Sequence, residues 1–104
     1  MQRIDLASIE TFDETKFALP EIFKGERLRT LLLCLAPGQA VPSHRHEGFE
    51  IQLQVLRGKA EITLDGEHVS LHAGEIVLVD GANDFAPVNR HSENFAMLIT
   101  LVRK

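Results

Sequence analysis

The sequence has no tryptophan, no tyrosine and only one cysteine. Its formal net charge is -4, and its Lys and Arg residues are scattered rather than clustered. A nucleic-acid-binding surface needs a basic stripe or aromatic side chains on which bases stack, and neither pattern is present. The single cysteine, Cys34, excludes an intramolecular disulfide and lies in an apolar run, which predicts a small buried side chain. We therefore expect no nucleic-acid partner.

Long apolar runs are also missing. The longest run, Leu31 to Ala36, is far shorter than the roughly 20 residues that a membrane-spanning helix needs. The N-terminal residues Met1 to Asp5 lack the apolar core of a signal peptide. These absences predict no membrane partner and a cytoplasmic location.

What the chain does contain is a series of short β-like runs. Its 104 residues, of which 44% are hydrophobic and 25% charged, fit one soluble domain over residues 1-104. Turn signals such as Pro37-Gly38 and Asp65-Gly66 separate segments rich in Leu, Ile, Val and Thr. The predicted strands are residues 27–36, 50–57, 59–65, 68–71, 75–80 and 94–102. This spacing predicts an all-β sandwich or small barrel, and no segment after residue 26 has a sustained helical period.

Residues 1-26 are less regular than the predicted barrel of residues 27-102. Their apolar side chains fit either an opening strand or a turn of helix that covers one sheet; these are Phe12, Phe17, Leu19, Ile22 and Phe23. No linker, repeat or low-complexity segment separates them from the rest of the chain. Both alternatives keep this segment within the same domain.

His44-Arg45-His46 is the most informative motif. Side chains two residues apart on an extended strand point to the same face, so two imidazoles at this spacing can converge on one cation. Neutral imidazole is the commonest protein metal ligand. Two ligands alone hold a metal weakly, and a solvated surface pair is the alternative interpretation. The pair is therefore a candidate metal site that needs further ligands.

Around this pair the chain resembles the cupin family, which is characterised by two motifs. Gly38, His44, His46 and Gly58 fall at the spacings of the first motif, and Gly74 and Asn89 match the two ends of the second. The resemblance covers roughly residues 27–102. It implies an all-β double-stranded β-helix, the jelly-roll barrel of cupins, with the histidine pair pointing into the barrel mouth.

Two ligand positions depart from the cupin pattern, and the proline and glycine positions of the second motif hold Asp80 and Ala82. The place of the family's glutamate ligand holds Ile51, with Glu50 one residue earlier, and the place of its second-motif histidine holds Phe85. A one-residue offset turns a side chain to the opposite face, so Glu50 joins the pair only if a β-bulge swings it inward. Otherwise Glu50, Gln52 and Gln54 form a solvent-facing polar row. The ligand set that the resemblance implies is incomplete in this chain.

We interpret the chain as a small cupin-fold protein that binds a metal ion, a small molecule or both in its barrel, without catalysis. The candidate metal ligands are His44, His46 and Glu50, and the candidate pocket-lining residues are Ile51, Phe85 and Asn89. The expected cofactor is a weakly held divalent ion (Zn, Fe, Mn or Ni). The alternative is a metal-dependent cupin enzyme of the dioxygenase, isomerase or decarboxylase type. By analogy with the family, we also expect a homodimer.

Overall fold

One short helix precedes eight β-strands in the computed structural model, which describes residues 1–104. The elements are α1 (Leu6–Ile9), β1 (Glu21–Lys24), β2 (Leu28–Leu35), β3 (Phe49–Arg57), β4 (Lys59–Leu64), β5 (Glu67–His72), β6 (Ile76–Asp80), β7 (Phe85–Val88) and β8 (Phe95–Arg103). The predicted all-β class is confirmed. No helix in the structure has the length and apolar character needed to span a membrane.

The strands form two antiparallel sheets. The larger sheet has the order β1-β2-β8-β3-β6, and the smaller has the order β5-β4-β7. β4 and β5 are joined through Asp65 and Gly66, whose φ angles are 47° and 87°. Positive φ at both central residues is what a tight hairpin turn requires, so the turn predicted from Asp-Gly is confirmed. The two sheets make the predicted double-stranded β-helix.

The hydrophobic core lies between the two sheets. β3 illustrates the pattern: Ile51, Leu53 and Val55 are buried, while Glu50, Gln52 and Gln54 are exposed. This alternation follows from the period of two along a strand, which gives each sheet an inner and an outer face. Inner-face residues of β2 and β8 belong to the same core, as do residues of the smaller sheet such as Ile62 and Leu71.

The N-terminal segment covers part of the outer face of the larger sheet. It contains both structures that the sequence left open, a helical turn at Leu6–Ile9 and a strand at Glu21–Lys24. Apolar side chains of the segment, Phe12 and Ile22 among them, pack against Leu32, Cys34 and Ala96. Cys34 is fully buried as predicted, and this burial raises the pKa of its thiol.

One strand was missed in the sequence. β7 is only four residues long and contains Pro87, which has no backbone N–H to donate and therefore weakens a strand prediction. β7 lies at the edge of the smaller sheet, where a proline is tolerated. It carries Phe85 opposite the segment that contains His44 and His46.

An uncovered part of the larger sheet's outer face carries exposed apolar side chains. Leu28, Ile76, Leu78 and Val102 are between 39% and 67% exposed. Single exposed apolar residues are ordinary on protein surfaces, and the structure holds one copy of the chain. The homodimer stays a prediction.

Candidate functional site

The segment that carries the histidine pair runs antiparallel to β7. His44 donates its backbone N–H to the Phe85 carbonyl at 3.2 Å, and Phe85 donates to the His44 carbonyl at 3.0 Å. A second contact, from the Val41 amide to the Pro87 carbonyl, is 2.9 Å long. This pairing places the His44 and Phe85 side chains side by side, with ring centroids 4.6 Å apart. The position that the cupin pattern assigns to a histidine therefore faces the histidine pair.

His44 and His46 lie together on one side of their segment, as their spacing requires. Their ring centroids are 4.9 Å apart and the ring planes are nearly perpendicular, at 88°. Both residues are partly buried. Arg45 points the other way and forms a two-armed ion pair with Asp84, with Nε–Oδ1 and Nη2–Oδ2 distances of 2.7 and 3.0 Å. This ion pair ties the histidine segment to the residue that precedes β7.

One hydrogen bond indicates which tautomer a neutral His44 ring adopts. Its Nδ1 lies 2.9 Å from the Pro42 carbonyl oxygen. A carbonyl oxygen only accepts, so Nδ1 carries the proton and Nε2 carries the lone pair when the ring is neutral. His44 therefore offers an acceptor, through Nε2, to a ligand donor group or a cation.

His46 is held neutral by its surroundings. Burial lowers its pKa below the ordinary value, and the positive charges of His44 and Arg29 act in the same direction. A neutral imidazole can both donate and accept a hydrogen bond, or bind a metal ion. Near pH 7 His46 therefore adds hydrogen-bonding groups to the site without adding charge.

Gly81, just after β6, holds the backbone of the histidine segment in place. The His46 amide donates to the Gly81 carbonyl at 2.8 Å, and the Gly81 amide donates to the Phe49 carbonyl at 2.9 Å. A Cβ atom at Gly81 would lie 2.1 Å from the His46 carbonyl oxygen, which is an impossible contact. Only glycine permits this close approach. No pattern in the sequence indicates this role directly.

A cavity of about 380 Å³ opens beside the two imidazoles. Six of its twelve lining residues are hydrophobic. Its walls come from β2, β7, β8, the histidine segment and the stretch before β1, and the lining residues are Leu19, Arg29, Leu31, Leu33, Val41, Pro42, Ser43, His44, His46, Phe85, Pro87 and Ile99. The volume lies within the range of small-molecule sites.

Three of the six residues predicted for the site lie at the cavity. His44, His46 and Phe85 line it, and Phe85 is only 1% exposed. Ile51 and Asn89 were predicted to line the pocket, but both are fully buried and do not border it. Ile51 packs in the main core between the two sheets.

The structure does not bring Glu50 to the histidine pair, which corrects its prediction as a third ligand. β3 pairs with β6 in uninterrupted register here, Glu50 opposite Asp80 and Ile51 opposite Val79. The only irregularity in the pairing of β3 with β8 falls between Val55 and Arg57, at the far end of the strand. Without a bulge beside it, Glu50 keeps its outward direction and is exposed.

Asn89 has a structural role instead. Its Nδ2 donates to the carbonyls of Leu35 and Glu93, at 3.0 and 2.8 Å, and its Oδ1 accepts from the His91 amide at 3.0 Å. A buried amide with all its bonds made inside the protein has none left for a ligand. Asn89 therefore joins β2 to the loop between β7 and β8.

The cavity residues do not fit a tightly bound resident metal ion. No cluster of three or more His, Cys, Asp or Glu side chains with suitable geometry exists in the structure. The remaining histidines, His68, His72 and His91, are exposed on the smaller sheet or the loop beyond it. Protein metal sites generally use three or four protein ligands, and this site supplies two imidazoles. The ring of Phe85 fills the space where a third ligand is expected.

Nine of the twelve residues that line the cavity were not predicted for the site, Arg29 and Leu19 among them. Arg29 precedes the apolar run of β2, and it shares the inward direction of Leu31 and Leu33 because it lies two and four residues before them. Leu19 lies on the extended stretch that pairs beside β2 through the Ala18–Cys34 bridge. The inward direction of Arg29 follows from the alternation along β2 and could have been predicted from the sequence. The position of Leu19 depends on how the N-terminal segment packs against β2.

Comparison with solved structures finds the same fold. The TT1209 protein of Thermus thermophilus has a TM-score of 0.91 at 24% identity, covering 99% of this chain and 98% of that one. A cupin superfamily protein of Desulfitobacterium hafniense has a TM-score of 0.84 at 21% identity, covering 97% and 90%. A protein of Thermotoga maritima described as a predicted oxalate decarboxylase has a TM-score of 0.77 at 21% identity, covering 83% and 79%.

These similarities establish the fold. At sequence identities below 25%, a shared fold does not establish a shared function. A search of curated proteins found no match. The family model described as "Cupin domain" matches residues 31–101, from the inner residues of β2 to β8. That range contains the histidine pair, Phe85 and Asn89. With more than half of its length matched, the chain belongs to the cupin domain family.

Proposed function

We propose that this protein binds a small, largely apolar organic molecule in the cavity beside His44 and His46, and that it does so without catalysing a reaction. The observation that carries this proposal is the composition of the cavity wall. Most of the approximately 380 Å³ space is bounded by aliphatic side chains, Phe85 and prolines. The polar lining side chains are Arg29, Ser43, His44 and His46. An apolar cavity with a few convergent polar groups is the usual form of a ligand site.

The lining residues favour binding over catalysis. No Asp or Glu borders the cavity, so the two imidazoles are its only side chains able to exchange a proton near neutral pH. The cupin enzyme alternative needs a metal-ligand set of about three protein groups, and two are present. The Thermotoga maritima neighbour shares the fold at 21% identity, and the cupin fold hosts many unrelated activities.

Metal association is a secondary part of the proposal. His44 Nε2 has a free lone pair, and the 4.9 Å ring separation allows both imidazoles to reach one ion at bond lengths of about 2.0–2.1 Å. Two nitrogens leave most of the shell to water, so a divalent ion would be held weakly. Elemental analysis of tag-free protein should find well under one metal ion per chain.

The histidine pair is tested directly by replacing both His44 and His46 with alanine. Any metal uptake should disappear while circular dichroism stays unchanged, because both side chains are only partly buried at a cavity wall. A control with His68 and His72 replaced by alanine removes two exposed histidines elsewhere and should leave uptake unchanged. Equal metal content in both double variants would show that the pair does not bind the ion.

Ligand binding is tested with the neutral fluorescent probe N-phenylnaphthylamine, in the presence of a chelator. The chain has no Trp or Tyr, so the probe signal is read without a protein background. Val41→Phe fills the cavity and should weaken probe binding by at least about tenfold, since a ring takes up much of the available volume. Val102→Phe makes the same change on the outer face of β8 and is the matched control.

The outcome separates the proposal from non-specific adsorption. Loss of binding in Val41→Phe, with normal binding in Val102→Phe, places the probe in the cavity. Equal binding to both variants, or loss of binding in both, would overturn the proposal. Retention of probe binding after complete metal removal is expected, because the cavity wall itself provides the contacts.

A further inference from the structure

We propose that the ligand of the cavity is a small carboxylate with an apolar body, whose carboxyl group binds Arg29. This inference rests on the proposed function and names the chemical class of its ligand. It starts from one feature of the cavity: Arg29 is the only residue of the lining that carries a permanent charge. Every other lining side chain is apolar, a hydroxyl or an imidazole.

The strand register explains why a charged side chain points toward an apolar cavity. Arg29 pairs with Leu101 across the sheet, and both have the inward parity of the core residues on their strands. Its side chain is 44% exposed, so the guanidinium lies at the mouth rather than in the core. A ligand with its apolar body in the cavity would therefore present its outer end to Arg29.

The guanidinium has donors to spare. Arg29 Nε and Nη2 lie 2.8 and 2.7 Å from a single carboxylate oxygen, Glu21 Oε2. A guanidinium has five N–H donors in a flat fork and can serve a second carboxylate on its other edge. The structure gives Arg29 Nη1 no hydrogen-bond partner. Glu21 thus holds the side chain in place without using all of its hydrogen-bonding capacity.

The charged groups of the cavity lining favour an anion, although the whole protein is acidic. The formal net charge is -4, yet no carboxylate borders the cavity. The Arg29 guanidinium is close enough to His46 to act on its ionisation, which places this charge at the same wall as the imidazoles. A carboxylate at the mouth would meet the guanidinium of Arg29, which it would share with Glu21, and no acidic lining group.

Hexanoate and hexanol make a matched pair of competitors for the bound N-phenylnaphthylamine. An apolar cavity without a useful cation would favour the alcohol, because removing a carboxylate from water is costly. We expect hexanoate to displace the probe at a concentration at least about fivefold lower than hexanol, allowing for the partial exposure of Arg29. This order of preference is a direct measure of the charge interaction.

Three variants assign the preference to Arg29. In Arg29→Gln, hexanoate should bind no more tightly than hexanol. Arg29→Lys should retain part of the preference for hexanoate, because lysine keeps the positive charge but lacks the paired N–H donors of the guanidinium. Glu21→Gln should increase the preference by about twofold or more, since it removes a negative charge beside the guanidinium. Arg90→Gln changes the net charge equally at an exposed position away from the cavity and should have no effect.

The inference and the proposed function fail in different ways. If the probe binds and hexanol competes as well as hexanoate, or if the hexanoate preference survives in Arg29→Gln, the carboxylate inference is overturned and the apolar site stands. If neither competitor displaces a cavity-bound probe, the inference is also overturned. Absence of probe binding to the parent protein would instead remove the proposed function. Circular dichroism checks that each variant is folded, and Glu21→Gln keeps the test decisive if Arg29→Gln does not fold.

Discussion

The two ends of the barrel are built by the same strands and differ in how their polar groups are used. At the asparagine end, Asn89 bonds to Leu35, Glu93 and His91, and the Asn89 carbonyl accepts from the Gly38 amide at 2.7 Å. At the histidine end, around His44, His46, Phe85 and Gly81, imidazole nitrogens face a cavity of about 380 Å³. One end satisfies its buried polar groups internally, and the other places two partly exposed imidazoles beside a cavity.

The difference connects one end with stability and the other with the proposed binding. Buried polar groups that bond inside the protein stabilise the fold, whereas groups left unpaired beside a cavity are free to bind a ligand. The residues of the cupin motifs divide in the same way: Gly38, Gly58 and Asn89 serve the closed end, and the two histidines serve the open one. Changes at the asparagine end should therefore lower the free energy of unfolding, and changes at the histidine end should alter binding.

The largest effect is expected for Gly58→Ala at the asparagine end. Gly58 has a φ of 78°, and a Cβ there would lie 2.3 Å from the Asn94 carbonyl oxygen. The backbone must move, so we expect a loss of about 3 kcal/mol or more in the free energy of unfolding. Gly66→Ala is the matched control, with a φ of 87° and no atom within 4 Å of the new Cβ.

Urea unfolding followed by far-ultraviolet circular dichroism measures both glycine variants. The control should lose only the roughly 1–2 kcal/mol of left-handed strain. Equal losses in the two variants would mean that strain alone, and not the close approach to Asn94, accounts for the requirement at Gly58.

Asn89→Ala tests the separation between stability and binding. Three hydrogen bonds are lost, and the buried Leu35 carbonyl is left without the bond from Asn89, so the free energy of unfolding should fall by about 2–4 kcal/mol. Probe affinity at the other end should stay within about twofold, since Asn89 does not border the cavity. Asn83→Ala, at a partly exposed loop position, is the control. A large affinity change in a folded Asn89→Ala protein would break the division between the ends.

Phe85→His tests the histidine end. The new imidazole would face His44, whose ring is 4.6 Å from that of Phe85, and would supply a third nitrogen ligand. Zinc or nickel affinity should rise by at least roughly tenfold, at a stability cost on the order of 1–3 kcal/mol for the lost burial of the ring. Phe12→His adds a histidine on the outer face as a control. Equal metal affinity in parent and Phe85→His would mean that the three rings do not converge.

The smallest effect is expected for Asp84→Asn. Its ion pair with Arg45 lowers the pKa of the Asp84 carboxyl, so the pair stabilises the fold above the ordinary carboxyl pKa and loses this effect as the pH falls through the lowered value. Asp84→Asn should therefore make unfolding slightly less sensitive to acid. Because Arg45 separates the two histidines, probe affinity should also change, by no more than about twofold.

Asp80→Asn is the matched control for this last variant. Asp80 also has a lowered pKa, caused by Lys104, and its ion pair lies away from the cavity. It should reproduce the reduced acid sensitivity without any change in affinity. If both variants change probe affinity by the same factor, the change is caused by the altered net charge and not by a shift of the segment that carries the two histidines.

The fold was predictable because its signals are local and repeated. Alternating apolar residues, the Asp65-Gly66 turn and the motif glycines each indicate β-structure on their own, and they agree with one another. β7 escaped prediction because its four residues include a proline and its pairing partners come from other parts of the chain. The histidine pair and Phe85 were singled out from the spacing of the cupin motifs. The structure places them side by side because the segment around His44 pairs with β7.

The rest of the site depends on three-dimensional contacts that no local pattern encodes. Gly81 matters because the His46 carbonyl passes close to it, although the two residues are far apart in the sequence. Glu50 was a candidate only if β3 carried a bulge, and the outcome depended on its partners in β6 and β8. Asn89 was recognised as a motif residue, but its direction toward Leu35 was not readable from the sequence.

β8 is the last strand in sequence order and the central strand of the larger sheet, between β2 and β3. Its pairing of Leu28 with Val102 joins opposite ends of the barrel sequence, and such long-range closure slows folding. Until β8 arrives, β2 and β3 have open edges that can pair with other molecules. The final strand therefore limits how early the larger sheet can form during folding. We expect slow refolding, with a loss to aggregates that grows with protein concentration. We also expect no stable sheet from a chain that stops before residue 95.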